Sequence, residues 1–193
     1  MKKYQLVHKE ERFHTKRMAV MKVCYKAEDG EELNHTIIES NPSVAAIVLN
    51  ENREVALIRQ FRTTTGEWHW EIPAGVALDN EDILETANRE VEEETGIVAK
   101  DVKMLTKCRN LLDPSKSNED YGVAVAKLDT LTARHLDDQE AIDTSIVWMN
   151  IDEVYTRLRR QMATGEAFKD GMEMSGHSMY ALLAYYFLNG SVK

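Results

Sequence analysis

The sequence has few of the residues that build cross-linked or irregular proteins. It contains 193 residues, of which 2 are cysteines, 3 are prolines and 9 are glycines. Two isolated cysteines, Cys24 and Cys108, make no disulfide framework and fit a reducing compartment, where free thiols are usually packing residues. With 43% hydrophobic and 30% charged residues, the composition excludes a disordered or fibrous protein. It predicts one globular domain, with room for a small appendage.

Basic residues are scarce relative to acidic ones. The 24 lysines and arginines against 33 aspartates and glutamates give a net charge of −9 with histidines neutral. This balance excludes a basic surface for nucleic acid or another polyanion. If the ligand carries phosphates, their charge must be neutralised by something other than excess lysine, and divalent cations held by carboxylates are the usual solution.

Long apolar runs are also missing from the sequence. No stretch approaches the ~18 continuous apolar residues that a membrane span requires. Residues 1–13 are charged and contain no apolar segment of the kind that a signal peptide has. We therefore expect a cytoplasmic protein that has no membrane partner.

The first 40 residues are predicted to form a strand-rich lead-in. Apolar and β-branched residues over 13–25 indicate a strand, and Asp29-Gly30 indicates a turn. Residues 32–39 would then pair back as the second strand of a hairpin.

The rest of the chain predicts strands in runs, with one helix inserted and two helices at the end. The apolar run of 43–49 and the following run of 54–61 are expected to pair. Further strands are expected over 68–72, 103–109, 121–128 and 144–149. Helices are expected over 81–95, 151–164 and 175–188. This order predicts an α+β fold, or a three-layer α/β/α sandwich with a mixed sheet.

The first predicted helix has clear boundaries and one apolar face. Asn80 is a plausible N-cap, and Gly96 suits the position that ends a helix. The apolar face consists of Ile83, Leu84, Ala87 and Val91.

An acidic cluster lies on this helix, within the run Arg89-Glu90-Val91-Glu92-Glu93-Glu94. Residues three and four apart are neighbours on a helix, so Glu90 lies beside Glu93 and Glu94, with about 5–6 Å between Cβ atoms. Such a strip either forms a solvated acidic face or binds a hard cation such as Mg²⁺, which takes oxygen ligands and usually bridges to substrate phosphates.

Residues flanking the cluster distinguish these two interpretations. Read outward from Gly75 through Glu81 to Gly96, the sequence contains the pattern G-x5-E-x7-R-E-U-x-E-E-x-G-U, where U is aliphatic. This pattern resembles the signature of the Nudix hydrolase family. The resemblance implies a Nudix α/β/α sandwich with a mixed sheet over residues 41–193, preceded by a small β-rich dimerisation segment over residues 1–40.

The resemblance also implies a role for each residue of the signature. Gly75 would let the chain turn, while Glu81 and Arg89 would fix the loop against the helix. Arg89 and Glu93 are counted among the implied catalytic residues. The implied ligands of Mg²⁺ (or Mn²⁺) are the backbone carbonyl of Ala74 and the side chains of Glu90, Glu93 and Glu94.

Segments outside the signature are similar to the ADP-ribose and nucleoside-diphosphate-sugar pyrophosphatase branch of that family. The similar segments are Arg59-Gln60-Phe61-Arg62, Glu71-Ile72-Pro73-Ala74-Gly75 and residues 113–118. By this resemblance Arg62 would bind substrate phosphate, although it could also be an exposed arginine at a strand end. Glu71 would bind the nucleoside side of the ligand or organise the turn.

The general base is implied to lie in a loop ahead of the strand at 144–149. Glu140 aligns with a loop glutamate proposed for this role in the branch. Asp137 and Asp138 are alternatives, and a solvated acidic loop without a catalytic role is another.

The resemblance predicts a Mg²⁺-dependent pyrophosphatase that acts on a small nucleoside diphosphate linked to a sugar and works as a homodimer. Its products would be a nucleoside monophosphate and a sugar phosphate. Two rivals are a sensor that binds a nucleotide sugar without hydrolysis, and a nucleoside-triphosphate pyrophosphohydrolase. The base is unassigned, because Trp68 and Trp70 are candidates for stacking it but also for packing in the core. His69, between them, is expected to be exposed.

Overall fold

The N-terminal part of the chain forms a separate three-stranded antiparallel sheet. The computed structural model describes residues 1–108, 110–133 and 146–189. The sheet consists of β1 (Tyr4–His14), β2 (Met18–Ala27) and β3 (Glu32–Ser40), in that order. The hairpin of β2 and β3 is as predicted.

One continuous strand over residues 13–25 is a wrong prediction, because a turn separates β1 from β2. The Thr15 hydroxyl accepts hydrogen bonds from the backbone N–H groups of Arg17 and Met18, at 3.3 and 3.2 Å. The Thr15 N–H donates to the Met18 carbonyl at 2.8 Å. Local side-chain bonding of this type makes a turn where strand propensity alone predicts none.

A mixed sheet forms the centre of the protein. Its strands lie in the order β10-β5-β4-β9-β8, with β6 paired to β5 and β7 to β4. Only the pairing of β4 with β9 is parallel among the described strand pairs. The strands are β4 (Ser43–Leu49), β5 (Glu54–Arg62), β6 (Glu67–Glu71), β7 (Ala74–Val76), β8 (Ile97–Met104), β9 (Tyr121–Leu131) and β10 (Val147–Asn150).

Helices cover both faces of this sheet. They are α1 (Ile83–Thr95), α2 (Ile151–Thr164) and α3 (Gly176–Asn189). Successive residues of a strand point to opposite faces, and β4 is buried on both. Ala45 and Ile47 pack in the core that α2 and α3 complete. Val44, Ala46 and Val48 pack in the core that α1 completes. The predicted α+β class, with a mixed sheet between helical layers, is confirmed.

Several predicted boundaries differ from the observed ones. The strand expected over 103–109 is β8, which begins at Ile97 and ends at Met104. The N-cap of α1 is Asp82 rather than Asn80, which lies in the left-handed region at φ 65°. Asp82 forms a capping box with Glu85, so it satisfies the first-turn donors that Asn80 is too far away to reach.

The N-terminal sheet is attached to the loop that precedes β9. The Ile38 N–H donates to the Lys116 carbonyl at 2.7 Å, and the Asn118 N–H donates to the Ile38 carbonyl at 3.2 Å. The Ser40 N–H donates to Asn118 Oδ1 at 3.1 Å. This contact brings the turn between β1 and β2 towards the same end of the molecule as the loops around β9. None of the helices in the described part of the chain has both the length and the apolar character needed to cross a membrane.

Candidate active site

The acidic strip of α1, which consists of Glu90, Glu93 and Glu94, is positioned by the apolar face of the same helix. Ala87 and Val91 are buried against the sheet, each 1% exposed. Glu90 and Glu94 lie beside this face and are also buried, at 3% and 0% exposure. Burying a carboxylate is costly unless it is hydrogen-bonded or paired with a charge. The contacts of these two residues therefore determine what the site can do.

Arg89 is the centre of an ion-pair cluster. Its Nε and Nη2 donate to the two carboxylate oxygens of Glu81, at 2.8 and 2.9 Å. Its Nη1 donates to Glu90 at 2.6 Å and to Glu93 at 3.0 Å. Its Nη2 also donates to the Val76 carbonyl at 3.2 Å. One guanidinium thus joins the loop before α1 to the carboxylates on α1, as a planar group with several fixed donors can.

The charge state of Glu81 follows from this cluster. The Arg89 guanidinium is the main cause that lowers the pKa of the Glu81 carboxyl to about 2. The N–H of Leu78 and the hydroxyl of Thr86 also donate to Glu81, at 2.9 and 3.0 Å, and act in the same direction. Glu81 raises the pKa of Arg89 in turn. Both groups therefore stay charged at neutral pH, and the loop remains fixed to the helix.

Strand β7, which contains Ala74 and Gly75, lies directly against the carboxylates. The N–H of Ala74 donates to Glu94 Oε2 at 3.0 Å. A Cβ atom built on Gly75 would lie 2.0 Å from Glu90 Oε1. The backbone of Gly75 is not in the left-handed region, so the expectation that glycine is needed for a turn is replaced by a steric reason. Only glycine lets the Glu90 carboxylate approach this strand so closely.

The carboxylates of Glu90, Glu93 and Glu94 are oxygen ligands of the type that a hard divalent cation takes. In this structure, however, the three side chains do not converge on one point. In the described part of the chain, no group of three histidine, cysteine, aspartate or glutamate side chains lies close enough to hold a metal ion. Glu90 and Glu93 face Arg89 instead, and Glu94 faces the Ala74 N–H. The Glu93 side chain is 38% exposed and can turn. Carboxylates and a backbone carbonyl are the ligands that Mg²⁺ prefers, and the Glu90 carboxylate lies directly against Gly75, the residue after Ala74.

Arg62 and Glu71 form a bidentate ion pair. Arg62 Nε donates to Glu71 Oε1 at 2.8 Å, and Nη2 donates to Oε2 at 2.6 Å. The Glu71 side chain is 3% exposed, whereas that of Arg62 is 42% exposed. The buried carboxylate of Glu71 thus holds the guanidinium of Arg62, and the Arg62 side chain is partly exposed to solvent.

A cavity of about 470 Å³ is lined by this ion pair and by β7, at Ala74 and Gly75. The cavity is lined by a residue of the turn between β1 and β2, by residues of the central sheet and by residues at the start of α3. Its lining includes Arg17, Arg62, His69, Glu71, Ala74, Gly75, Glu119, Tyr121 and His177. Arg62 and Glu71, two predicted binding residues, therefore line the same cavity as β7, the strand that contacts Glu90 and Glu94.

Among the residues of β6, His69 lines the cavity and Trp70 is buried in the core. Trp70 is fully buried, and its indole N–H donates to the Lys169 carbonyl at 2.9 Å. Trp68 is 42% exposed and packs its edge on Phe61, with 5.8 Å between ring centroids. Neither tryptophan is among the described residues that line the cavity. His69, expected to be exposed, is partly buried and lines it.

The predicted general base cannot be placed. Glu140 and its alternatives Asp137 and Asp138 lie outside the described residues, so these assignments stay predictions.

Several cavity residues were not singled out from the sequence. Arg17, Glu119, Tyr121 and His177 come from three different parts of the chain, because Glu119 and Tyr121 are close neighbours in the sequence. None belongs to a local motif, and only the fold brings them together. The one available signal is the serine-, asparagine- and acid-rich segment before Tyr121, which is typical of a loop at the end of a strand.

Comparison with known proteins identifies similar sequences and a similar fold. Residues 39–169 match the model of the NUDIX domain family. The chain is 29% identical over 140 residues to a CMP-5'-(N-acetyl-N-hydroxy-3-aminopropyl)phosphonate hydrolase from Streptomyces rubellomurinus, covering 72% of this chain and 66% of that protein. It is 28% identical over 132 residues to an ADP-ribose pyrophosphatase from Mycobacterium tuberculosis, covering 68% of this chain and 63% of that protein.

A solved structure described as an ADP compounds hydrolase has the same fold, with a TM-score of 0.69. That alignment covers 94% of this chain and 91% of the other, at 18% sequence identity. Among curated relatives, the matched part spans 66% and 63% of the two hydrolases above and 34% of Nudix hydrolase 10 from Arabidopsis thaliana. The chain thus spans less than two thirds of the length of these relatives.

Proposed function

Because the chain belongs to the NUDIX domain family, we propose that it hydrolyses the diphosphate bond of ADP-ribose or a related nucleoside-diphosphate sugar. The products are a nucleoside monophosphate and a sugar phosphate. One observation carries the proposal: β7, at Ala74 and Gly75, contacts the buried carboxylates of Glu94 and Glu90 and also lines the cavity that contains Arg62. A diphosphate in that cavity would lie between a cationic side chain and a set of oxygen ligands.

The residues of the acidic strip hold a divalent cation, Mg²⁺ or Mn²⁺, in this proposal. Its ligands are the side chains of Glu90, Glu93 and Glu94 and the carbonyl of Ala74. Such a cation, when bound, neutralises phosphate charge and makes bound water a stronger nucleophile. Glu81 keeps Arg89 fixed, and Arg89 orients the carboxylates of Glu90 and Glu93 through its hydrogen bonds to both. Glu140 remains the proposed general base, with Asp137 and Asp138 as alternatives.

We further propose that Arg62 binds substrate phosphate and that Glu71 acts through Arg62. The Glu71 carboxylate uses both oxygens to hold the guanidinium, so its orientation is set before a ligand arrives. Donors fixed in advance lose less conformational entropy when they bind an anion. This arrangement gives Glu71 a positioning role, whereas the resemblance implied either a contact with the nucleoside side of the ligand or organisation of the turn.

A panel of substrates tests the proposed reaction. ADP-ribose, GDP-mannose and other nucleotide sugars are incubated with the protein, with and without Mg²⁺ or Mn²⁺, and the release of phosphate monoesters is measured. We expect nucleoside monophosphate as a product, only when a divalent cation is present. Binding without product would favour the sensor. Release of inorganic pyrophosphate from nucleoside triphosphates, with no attack on nucleotide sugars, would favour the pyrophosphohydrolase.

We also propose that residues 1–40 form a dimerisation segment of the Nudix domain of residues 41–193. The support is apolar surface on the N-terminal sheet, where Leu6, Val7 and Phe13 are 48%, 54% and 58% exposed. Sedimentation equilibrium should give twice the chain mass of 22.1 kDa, and Phe13→Glu should shift the population towards the monomer. Met162→Glu, at a 61% exposed site on α2, is the control. A wild-type monomer at micromolar concentration would contradict the proposal.

A further inference from the structure

Tyr121, His69 and Glu119 line the cavity and have no role in the metal and phosphate contacts proposed above. Tyr121 is the first residue of β9 and pairs in register with Ser43. Its side chain is almost completely buried, with 3% exposure, and it lines the cavity. Its hydroxyl has no hydrogen-bond partner among the described residues. Buried hydroxyl groups are rarely left in this state, because losing water without a replacement partner is costly.

The surroundings of the Tyr121 hydroxyl define what it can bind. Burial is the main cause that raises the pKa of the Tyr121 phenol, and the negative charges of Glu71 and Glu119 raise it further. The group therefore stays protonated at neutral pH and can both donate and accept a hydrogen bond. The charge of Glu71 is paired with Arg62, and the positive charge of Arg62 acts on the Tyr121 phenol in the opposite direction.

His69 presents a second unpartnered polar atom on the same cavity. Its Nδ1 is buried and has no hydrogen-bond partner among the described residues. Its Nε2 is engaged with the hydroxyl of Thr65 at 3.0 Å, and both residues line the cavity. Two buried polar atoms that lack partners are thus found on residues lining one space, which is the arrangement expected of a site completed by a ligand.

The residues beside Tyr121 suit a small saturated ring. His177 is exposed at the start of α3, and its ring meets that of Tyr121 edge to face, with 5.2 Å between centroids. The carboxylate of Glu119 is fixed by a hydrogen bond from the Ser43 hydroxyl. A phenol hydroxyl, an imidazole, one carboxylate and an aromatic wall together match a ligand with several hydroxyl groups and C–H surfaces.

We propose that Tyr121, His69 and Glu119 form a subsite for the hydroxyl groups of the sugar moiety of the substrate, beside the diphosphate that Arg62 binds. This inference rests on the proposed function for the identity of the ligand. It makes Tyr121 a residue that determines specificity: its hydroxyl recognises the sugar and takes no part in the cleavage. A ligand that lacks the sugar should bind with the same affinity whether or not the Tyr121 hydroxyl is present.

Tyr121→Phe tests the subsite, because it removes one oxygen atom and keeps the buried ring. KM and kcat are measured for ADP-ribose and for adenosine diphosphate esterified with a methyl group in place of the sugar. We expect KM for ADP-ribose to rise about tenfold, as for the loss of one buried hydrogen bond. We expect kcat for ADP-ribose and both constants for the methyl ester to change less than about twofold. Tyr155→Phe is the matched control, since Tyr155 is also a buried tyrosine without a hydroxyl partner but does not line this cavity.

Equilibrium binding of the same two ligands, measured by calorimetry without metal, separates this inference from the proposed function. If wild type binds ADP-ribose more tightly than the methyl ester, and Tyr121→Phe removes the difference, the subsite stands even when no hydrolysis is seen. If wild type hydrolyses ADP-ribose and Tyr121→Phe affects both ligands equally, or neither, the sugar subsite is wrong while the reaction stands. Equal binding of the two ligands by wild type also overturns it.

Discussion

Glu93→Gln and Glu94→Gln are each expected to lower kcat for nucleotide-sugar hydrolysis by about a thousandfold, with little change in folding. Each substitution removes a negative charge and one oxygen ligand while keeping the size of the side chain. Transition-state charge stabilisation by one fixed group is typically worth about a hundredfold to a thousandfold, and a direct metal ligand belongs at the upper end. The amide oxygen of a glutamine at position 94 can still accept the hydrogen bond from the Ala74 N–H. The contact between α1 and β7 is therefore kept.

The matched control for this pair is Glu92→Gln. Glu92 carries the same charge on the same helix but is exposed, so its loss tests for a general effect of helix charge. We expect it to leave kcat within about twofold of wild type. Binding of Mn²⁺, followed by electron paramagnetic resonance, should weaken in the two site variants and stay unchanged in the control. Full turnover in both Glu93→Gln and Glu94→Gln would refute the assigned metal role.

The parts of the fold that the sequence predicts well are those set by local rules. Apolar residues at helical spacing predicted α1, and the left-handed Gly96 ends it, at φ 70°. The continuous apolar run of 43–49 became β4, buried on both faces. Such features depend on periodicity and capping within one segment, so neighbours distant in the chain have little power to change them.

Errors arose where a side chain competes with secondary structure. Thr15 bonds to the backbone at 17 and 18 and ends β1 inside a segment of high strand propensity. Asp82 reaches the N–H of Leu84 and caps α1, whereas Asn80 adopts a left-handed turn conformation. Both residue types favour such local bonds, and the choice among neighbouring candidates depends on where the loop meets the sheet.

The cavity lies largely beyond prediction from sequence. Motif spacing places Glu90, Glu93 and Glu94 on one helix, but it says nothing of Tyr121 and His177. These rings meet because β9 pairs with β4 and α3 begins beside the same cavity. A subsite built from different strands and helices leaves no pattern in the chain, and its orphaned hydroxyl is visible only once burial is known.

Gly75→Ala is expected to lower kcat by about a hundredfold and to destabilise the fold by about 1–3 kcal/mol. The new methyl group would lie 2.0 Å from Glu90 Oε1 and 2.1 Å from its Cδ. The Glu90 carboxylate is held by Arg89 and cannot move away without breaking that ion pair. Either β7 or the carboxylate must shift, and a proposed metal ligand then leaves its position.

Gly122→Ala is the control that separates this steric effect from the general cost of replacing a strand glycine. Gly75 and Gly122 both pair with Val44, on opposite sides of β4. A Cβ at Gly122 would meet the terminal methyl of Met104 at 2.7 Å, the end of a flexible side chain that can turn aside. We expect unchanged kcat in this variant. Urea unfolding and steady-state kinetics on both proteins decide the matter, because equal losses in the two would show that contact with Glu90 is not the reason for glycine at 75.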